Sequence, residues 1–411
     1  MKQFRDFPRV SVTPKGERSI KFGHPWVYEG EVTETTEGIL DGSLADVVGP
    51  KGAYLGTGFY NAHSKIRVRL LSTNANDTFD AAFFERRLRY AWELRKRVMG
   101  PDINATRLVF GEADGLPGLT VDRFENVLVT ETLSLGIEQR KDLIFPALVS
   151  MLRADGQTID AVYERNDSKV RGLEGMETGR GFYEGVTRPE GFDEAAPVIM
   201  TENGIRYEVD YQNGQKTGFF LDQKYNRRAV ASLAKDLRVL DLFTDTGSFA
   251  LNCAAAGAKS VTAVDISEPS LQVGRRNAAL NGLEDIVTFQ QADVFDLLPE
   301  LEKNQKGAYD LIILDPPAFT KSRKTVESAA RGYKEINYRA LKALRRGSYF
   351  AACSCSHFMT EDLFKKMLRD AAYDAGVHLL ELDRRRQAPD HPILWNVPET
   401  NYLKFFIFQV L

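Results

Sequence analysis

Long apolar runs are missing from these 411 residues. No stretch of 18 escapes polar interruption, so no membrane-spanning helix is expected. The opening residues, MKQFRDFPRV, lack the apolar core of a secretion signal, which places the chain in the cytosol as an expectation. Cysteine is scarce as well. Three (Cys253, Cys353, Cys355) cannot build a disulfide framework, and 5 histidines offer no paired ligand spacing. Reduced thiols and no metal are therefore expected. A net charge of −3 excludes a generally basic coat, so a nucleic-acid partner must be met by local positive charge. What is present is the 43% hydrophobic, 27% charged balance of a globular chain with length for two or three domains.

The stretch that organises the rest is RVLDLFTDTGSF, Arg238 to Phe249. Val239 to Phe243 has the length and composition of a buried parallel strand. The chain then turns at Thr244 to Gly247 and resumes a helical pattern from Ser248. A strand, turn and helix of this kind put Asp241 at the strand's carboxyl end and Gly247 where backbone approaches a ligand closely. A second apolar strand, Val261 to Asp265, ends in another carboxylate 24 residues after Asp241. That is near the spacing at which an acidic residue meets ribose hydroxyls. Two further segments, Ile286 to Asp293 and Tyr309 to Pro317, again carry an apolar strand up to an aspartate (Asp293, Asp315). Together they predict a nucleoside cofactor lying across the carboxyl edge of an open α/β sheet.

Upstream, residues 8 to 72 alternate short strands with glycine turns (Gly49 to Gly52, Gly56 to Gly58), as in a small closed or nearly closed β-barrel. Binding and a purely structural role are equally open for it. Phe79 to Met99 reads as a helix whose polar face carries Arg86, Arg87, Arg89, Arg95, Lys96 and Arg97, either solvated or tracking a phosphate backbone. Residues 105 to 213 read as a separate α+β domain. The segment Gln215 to Gln223 is either a linker or a cover for the cofactor. Lys321 to Arg346 holds nine basic residues against Glu327 and Glu335, a local surplus of seven beside the proposed edge, suited to an acidic substrate. Gly347 to Ser356 is read as a strand ending in both thiols, and Tyr402 to Val410 as a closing strand with no helix after it.

Two chemistries fit Asp315-Pro316-Pro317 beside such a cofactor. In one, Asp315 and the backbone near Pro316 grip an exocyclic base amine that attacks a methyl group directly. In the other, a thiolate adds to C6 of a pyrimidine so that C5 becomes nucleophilic enough to take the methyl. The thiols at the next strand end favour the second, with Cys355 as nucleophile because it lies nearer the edge, Cys353 as supporting or alternative thiol, and Asp315 as a proton donor to the ring. A third reading, from a different class, is an RNA-binding or assembly factor with a vestigial cofactor pocket.

These motifs, in this order, resemble the bacterial large-subunit rRNA cytosine-C5 methyltransferases of the RlmI type over nearly the full chain. GHPWVYEGE (Gly23 to Glu31) and YLGTGFYNAHSKIRVRLL (Tyr54 to Leu71) are similar to that family's PUA domain, an RNA-binding barrel. QKTGFFLDQKYNR (Gln215 to Arg227) resembles its cofactor-covering motif, DPPAF (Asp315 to Phe319) its base-binding loop, and CSCS (Cys353 to Ser356) its thiol motif. The resemblance implies a multi-domain α/β chain. A PUA-like β-barrel would occupy 1–75, and a connecting helix with a central α+β domain 76–213. A Rossmann-like class I methyltransferase sheet with an antiparallel closing strand would occupy 214–411. It implies S-adenosylmethionine as cofactor, with Asp241, Phe243 and Gly247 on the methionine side, Asp265 at the ribose, Asp293 at the adenine amino group, and Phe220 and Asp222 closing over it. Pro316, Phe319, Lys321, Arg323 and Lys324 would face RNA, with 23S rRNA the implied partner and a homodimer left open. Ser248, where the family often has glycine, Asp245, where it often has an aromatic, and Lys224 for arginine depart from the pattern.

Overall fold

The computed structural model describes residues 6–320 and 322–411. The chain folds into two compact units and passes between them repeatedly. The first holds the chain up to Met200, Val209–Leu221 and Pro389–Thr400; the second holds Thr201–Glu208, Asp222–Ala388 and Asn401–Leu411.

In the first unit, a six-stranded sheet is built from Arg9–Val12, Trp26–Tyr28, Val32–Thr35, Leu44–Val48, Tyr54–Tyr60 and Ile66–Ser72. A short helix, Pro14–Lys21, is started by the Thr13 hydroxyl, which accepts from Gly16 N–H, with proline in the first turn. Gly56 and Gly58 correct the sequence expectation, because they lie inside the Tyr54–Tyr60 strand instead of in a turn. A Cβ on Gly58 would stand 2.2 Å from the Arg69 carbonyl oxygen, so the close approach of the next strand demands glycine there. A five-stranded sheet follows, with Ala161–Asn166 parallel to Val127–Thr132 and the other pairs antiparallel. The helix Ala81–Met99 buries Phe83, Phe84, Leu88 and Trp92 in a core shared with Phe59 and Leu71 of the first sheet and Leu119 and Val121 of the second. Arg95 is not on its polar face. It is fully buried and bonded to both carboxylate oxygens of Asp114 at 2.6 and 2.7 Å. A buried guanidinium needs such a bidentate partner.

The second unit is a seven-stranded sheet in the order Val287–Gln291, Ser260–Asp265, Arg238–Leu242, Leu311–Leu314, Tyr349–Ser354, Lys404–Val410, Leu379–Arg385. The first five are parallel; Lys404–Val410 runs antiparallel to both of its neighbours, as a closing strand. The strand order reverses between Arg238–Leu242 and Leu311–Leu314, and both are apolar on both faces because helices cover both sides. The helix Glu361–Ala375 and the edge strand Leu379–Arg385 are not anticipated by the sequence reading. The helix is announced by Thr360, whose hydroxyl accepts from Leu363 N–H, and by apolar residues at 364, 367, 368, 371 and 372. No helix among the described residues is long and apolar enough to cross a membrane.

Candidate active site

The strand reversal sets two carboxylates side by side at the carboxyl edge. Asp241 stands next to last in the central strand, fully buried; its Oδ2 accepts from the Thr244 hydroxyl at 2.5 Å and from Ala250 N–H at 3.0 Å. Its Oδ1 is buried with no hydrogen-bond partner among the described residues. Burial pushes this carboxyl up to about 7, with the negative charge of Asp315 adding to the shift. The loop that follows is strained. Phe243 and Asp245 both adopt left-handed backbone, at φ 63° and 52°, and Gly247 follows at 82°. Non-glycine residues rarely take this conformation, and two in three positions concentrate strain at the end of the organising strand. Asp265 is fixed within this turn: Oδ2 accepts from Asp245 N–H and Oδ1 from Ser267 N–H, both at 2.9 Å. Burial and the neighbouring Asp265 also hold Asp245 above the usual carboxylate range. Asp293 sits two residues past its strand and starts the next helix by accepting from Phe295 N–H at 2.8 Å.

Asp315 lies just beyond Leu311–Leu314. Parallel register pairs Leu314 with Ala352, which brings Asp315 beside Cys353. Gln223 bridges the two: its Nε2 donates to Asp315 Oδ1 at 3.0 Å and to Cys353 Sγ at 3.1 Å. Desolvation raises the Asp315 carboxyl to about 6, opposed by hydrogen bonds from Cys353 and Gln223. Cys353, inside the strand and buried, is pushed well up by burial and by the Asp315 charge. Cys355 has left the strand and is partly exposed. Next to it, Lys404 of the closing strand donates to the Ser356 and Tyr402 carbonyls at 2.5 and 2.7 Å, and burial lowers its ammonium to about 8.

The structure thus brings together Asp241, Asp315, Cys353, Asp222 and Gln223; Asp222 accepts from the Tyr402 hydroxyl at 2.6 Å. Gln223 is the member that sequence reasoning missed, although its segment was singled out. Pro316 is buried, and Phe319 packs on Tyr333 with ring centres 4.5 Å apart. Tyr333 and Ser356 donate to the Pro317 and Thr320 carbonyls, bracing the loop from beneath. Phe220 belongs to the first unit, where Lys216 Nζ lies 4.5 Å from its ring centre. Lys321 falls outside the described residues; Arg323 lies in a short 3₁₀ turn and Lys324 is exposed. The basic surplus expected at this edge is reduced. Arg339 is paired with Glu302 and Glu335 and Lys334 with Asp374, and Val326–Ala343 runs back from the edge, carrying Lys342 to its far end.

Residues 193–408 match the family model of S-adenosylmethionine-dependent methyltransferases, and residues 10–73 match that of a PUA-like domain. The chain is 41% identical to ribosomal RNA large subunit methyltransferase I of Alteromonas mediterranea over 98% of both chains. It is 39% identical to the protein of the same name from Klebsiella pneumoniae, over 98% of this chain and 99% of that one. A Streptococcus mutans chain assigned as a SAM-dependent methyltransferase superposes with a TM-score of 0.79 at 22% identity, covering 98% of this chain and 99% of the other. A methyltransferase complexed with S-adenosylhomocysteine does so at 0.80 with the same identity and coverage, so the fold is shared. With both domain models matched in this order and full-length relatives at about 40% identity, the chain belongs to the family of the ribosomal RNA large subunit methyltransferases I, S-adenosylmethionine-dependent enzymes with an amino-terminal PUA-like domain.

Proposed function

We propose that the protein methylates C5 of a cytosine in large-subunit (23S) ribosomal RNA through a transient bond between Cys355 and the base. The observation that carries this reading is a partly exposed thiol at the exit of one strand and, at the exit of its neighbour, a carboxyl that burial raises to about 6.

The residues at the edge fit S-adenosylmethionine. The buried, unpartnered Asp241 Oδ1 suits the cationic methionine end, and the fixed Asp265 carboxylate suits the ribose hydroxyls. Phe243 and Gly247 shape the methionine side, Asp293 reaches the adenine amino group, and Asp222 closes the edge. When bound, the cofactor supplies a methyl group on a sulfonium. Cys355 Sγ, as thiolate, forms a bond to C6 while Asp315 donates a hydrogen to ring N3, leaving C5 electron-rich. After C5 has taken the methyl, a water molecule acting as base accepts the C5 proton, and the electron pair of that C–H bond restores the C5–C6 double bond. The C6–S bond breaks with its pair returning to sulfur as thiolate, and the hydrogen on N3 returns to Asp315. Cys355 suits the nucleophile better than Cys353, because burial holds Cys353 in its neutral form. The PUA-like barrel and Lys324 beside the Asp315 loop are read as contacts to RNA.

The test is to incubate the protein with ribosomal RNA and labelled S-adenosylmethionine, digest to nucleosides and identify the product. 5-Methylcytidine is expected; a methylated exocyclic amine would overturn the reading. Cys355→Ala should reduce methyl transfer by at least about 10³-fold, while Cys353→Ala should keep most of it. RNA carrying 5-fluorocytidine, which has no C5 proton to lose, should trap the wild type as a denaturant-resistant adduct.

A further inference from the structure

A chain of three polar side chains in the second unit ends on Asp315. Arg385 Nε donates to Asn226 Oδ1 at 3.1 Å. Asn226 Nδ2 donates to Gln223 Oε1 at 2.6 Å and to the Arg386 carbonyl at 3.2 Å. Gln223 Nε2 then donates to Asp315 and Cys353. Asn226 and Gln223 are 1% and 3% exposed, so bulk water is not there to replace a lost partner.

A carboxamide turned end for end keeps its shape and exchanges donor for acceptor, so its partners decide which way it points. A guanidinium can only donate, and a main-chain carbonyl can only accept. At Asn226 both constraints select the same orientation, with oxygen toward Arg385 and nitrogen toward Arg386 and Gln223. The Gln223 oxygen must then face Asn226, which leaves its nitrogen for Asp315.

We propose that Arg385 and Asn226 are positioning residues that, through Gln223, keep a hydrogen-bond donor on Asp315 Oδ1 and so turn the other carboxyl oxygen toward the substrate. The inference rests on the reading of Asp315 as the group that grips the base. With Oδ1 occupied as an acceptor, the proton of a neutral Asp315 is carried by Oδ2 and is presented as a donor. Cytosine N3 accepts such a hydrogen, whereas uracil N3 already carries one, so the relay selects cytosine. Burial keeps Asp315 protonated toward neutrality, and the Gln223 donor counteracts this by favouring the ionised form. The other groups acting on this carboxyl are Cys353 from the neighbouring strand, Asp222 and Arg227 around the helix start, and Asp241 from the central strand.

The test is the titration of Asp315 followed by carbon-13 NMR in protein labelled at the aspartate carboxyl, with the signal assigned through Asp315→Asn. This readout needs no activity. Wild type should titrate near 6. Asn226→Asp offers Gln223 only acceptors, so its amide turns and presents Oε1 to Asp315, raising the midpoint by about one pH unit or more. Asn226→Leu and Arg385→Met remove the constraint without adding negative charge at the amide and should also raise it, while Arg385→Lys keeps a donor and should stay at the wild-type value. An unchanged midpoint in Asn226→Asp and Asn226→Leu, in variants with wild-type circular dichroism, overturns the relay. So does a rise confined to Asn226→Asp, which would report only the added charge. If Cys355→Ala proves fully active, the covalent reading falls while the titration still decides the relay.

Discussion

Asp241 works against the stability of the fold that holds it. Burial raises its carboxyl to about 7 from an ordinary value of 3.8. Between those values the native chain keeps a proton that the unfolded chain releases, so stability falls as pH rises from about 4 to 7 and stays lower above that. Asp241→Asn removes the titration while its amide oxygen can still accept from Thr244 and Ala250. The variant should match wild type near pH 4 and exceed it at pH 8, by on the order of 3 kcal/mol in denaturant unfolding. Calorimetry should find S-adenosylmethionine binding weakened in the same variant, since an amide N–H replaces the buried acceptor. Residues like this are legible in sequence because each ends an apolar strand: Asp241, Asp265 and Asp315 announce themselves by position. Gln223 does not. It stands in a polar segment 92 residues from the aspartate it serves, and only the folded sheet joins them. The left-handed Phe243 is equally hidden, because nothing local favours that conformation in a phenylalanine, whereas Asp245 is of a type that tolerates it.

Among the elements, those with strong apolar runs are readable and those at edges are not. The five parallel strands and the closing strand lie close to where hydrophobic pattern places them. The edge strand Leu379–Arg385 carries charge at most positions, which protects an open edge and erases the pattern. Glycines mislead in the opposite direction, since Gly56-Thr57-Gly58 has turn composition but is a strand crossed closely by its neighbour. Gly58→Ala should therefore destabilise the six-stranded sheet by at least about 2 kcal/mol, because the new methyl meets backbone and cannot be relieved by rotating a side chain. A midpoint in urea equal to that of wild type would contradict this. The helix Val326–Ala343 shows a third limit: composition revealed its positive charge, but only packing shows that Glu302 and Asp374, from other elements, pair with Arg339 and Lys334.

At the scale of the molecule, sequence suggested domains in succession, whereas the first unit draws on three separated segments and so does the second. The reason is visible at Asp390. Its carboxylate accepts from the Thr106 hydroxyl and Arg107 N–H, both at 3.0 Å, and its carbonyl accepts from buried Arg95 at 2.8 Å. A fragment ending at residue 213 would strip these partners from a buried guanidinium and a buried hydroxyl. It should melt well below the full chain, and adding a peptide spanning 389–400 should raise its melting temperature.

The same return of the chain imposes a timetable on biosynthesis. Residues near position 95 leave the ribosome long before Asp390 exists, and the tunnel hides the newest part of the chain still longer. Until Asp390 has emerged, the segment around Arg95 must wait with its buried arginine only partly matched, so a nascent chain arrested before residue 388 should be more readily cut by protease around the Ala81–Met99 helix than the folded protein.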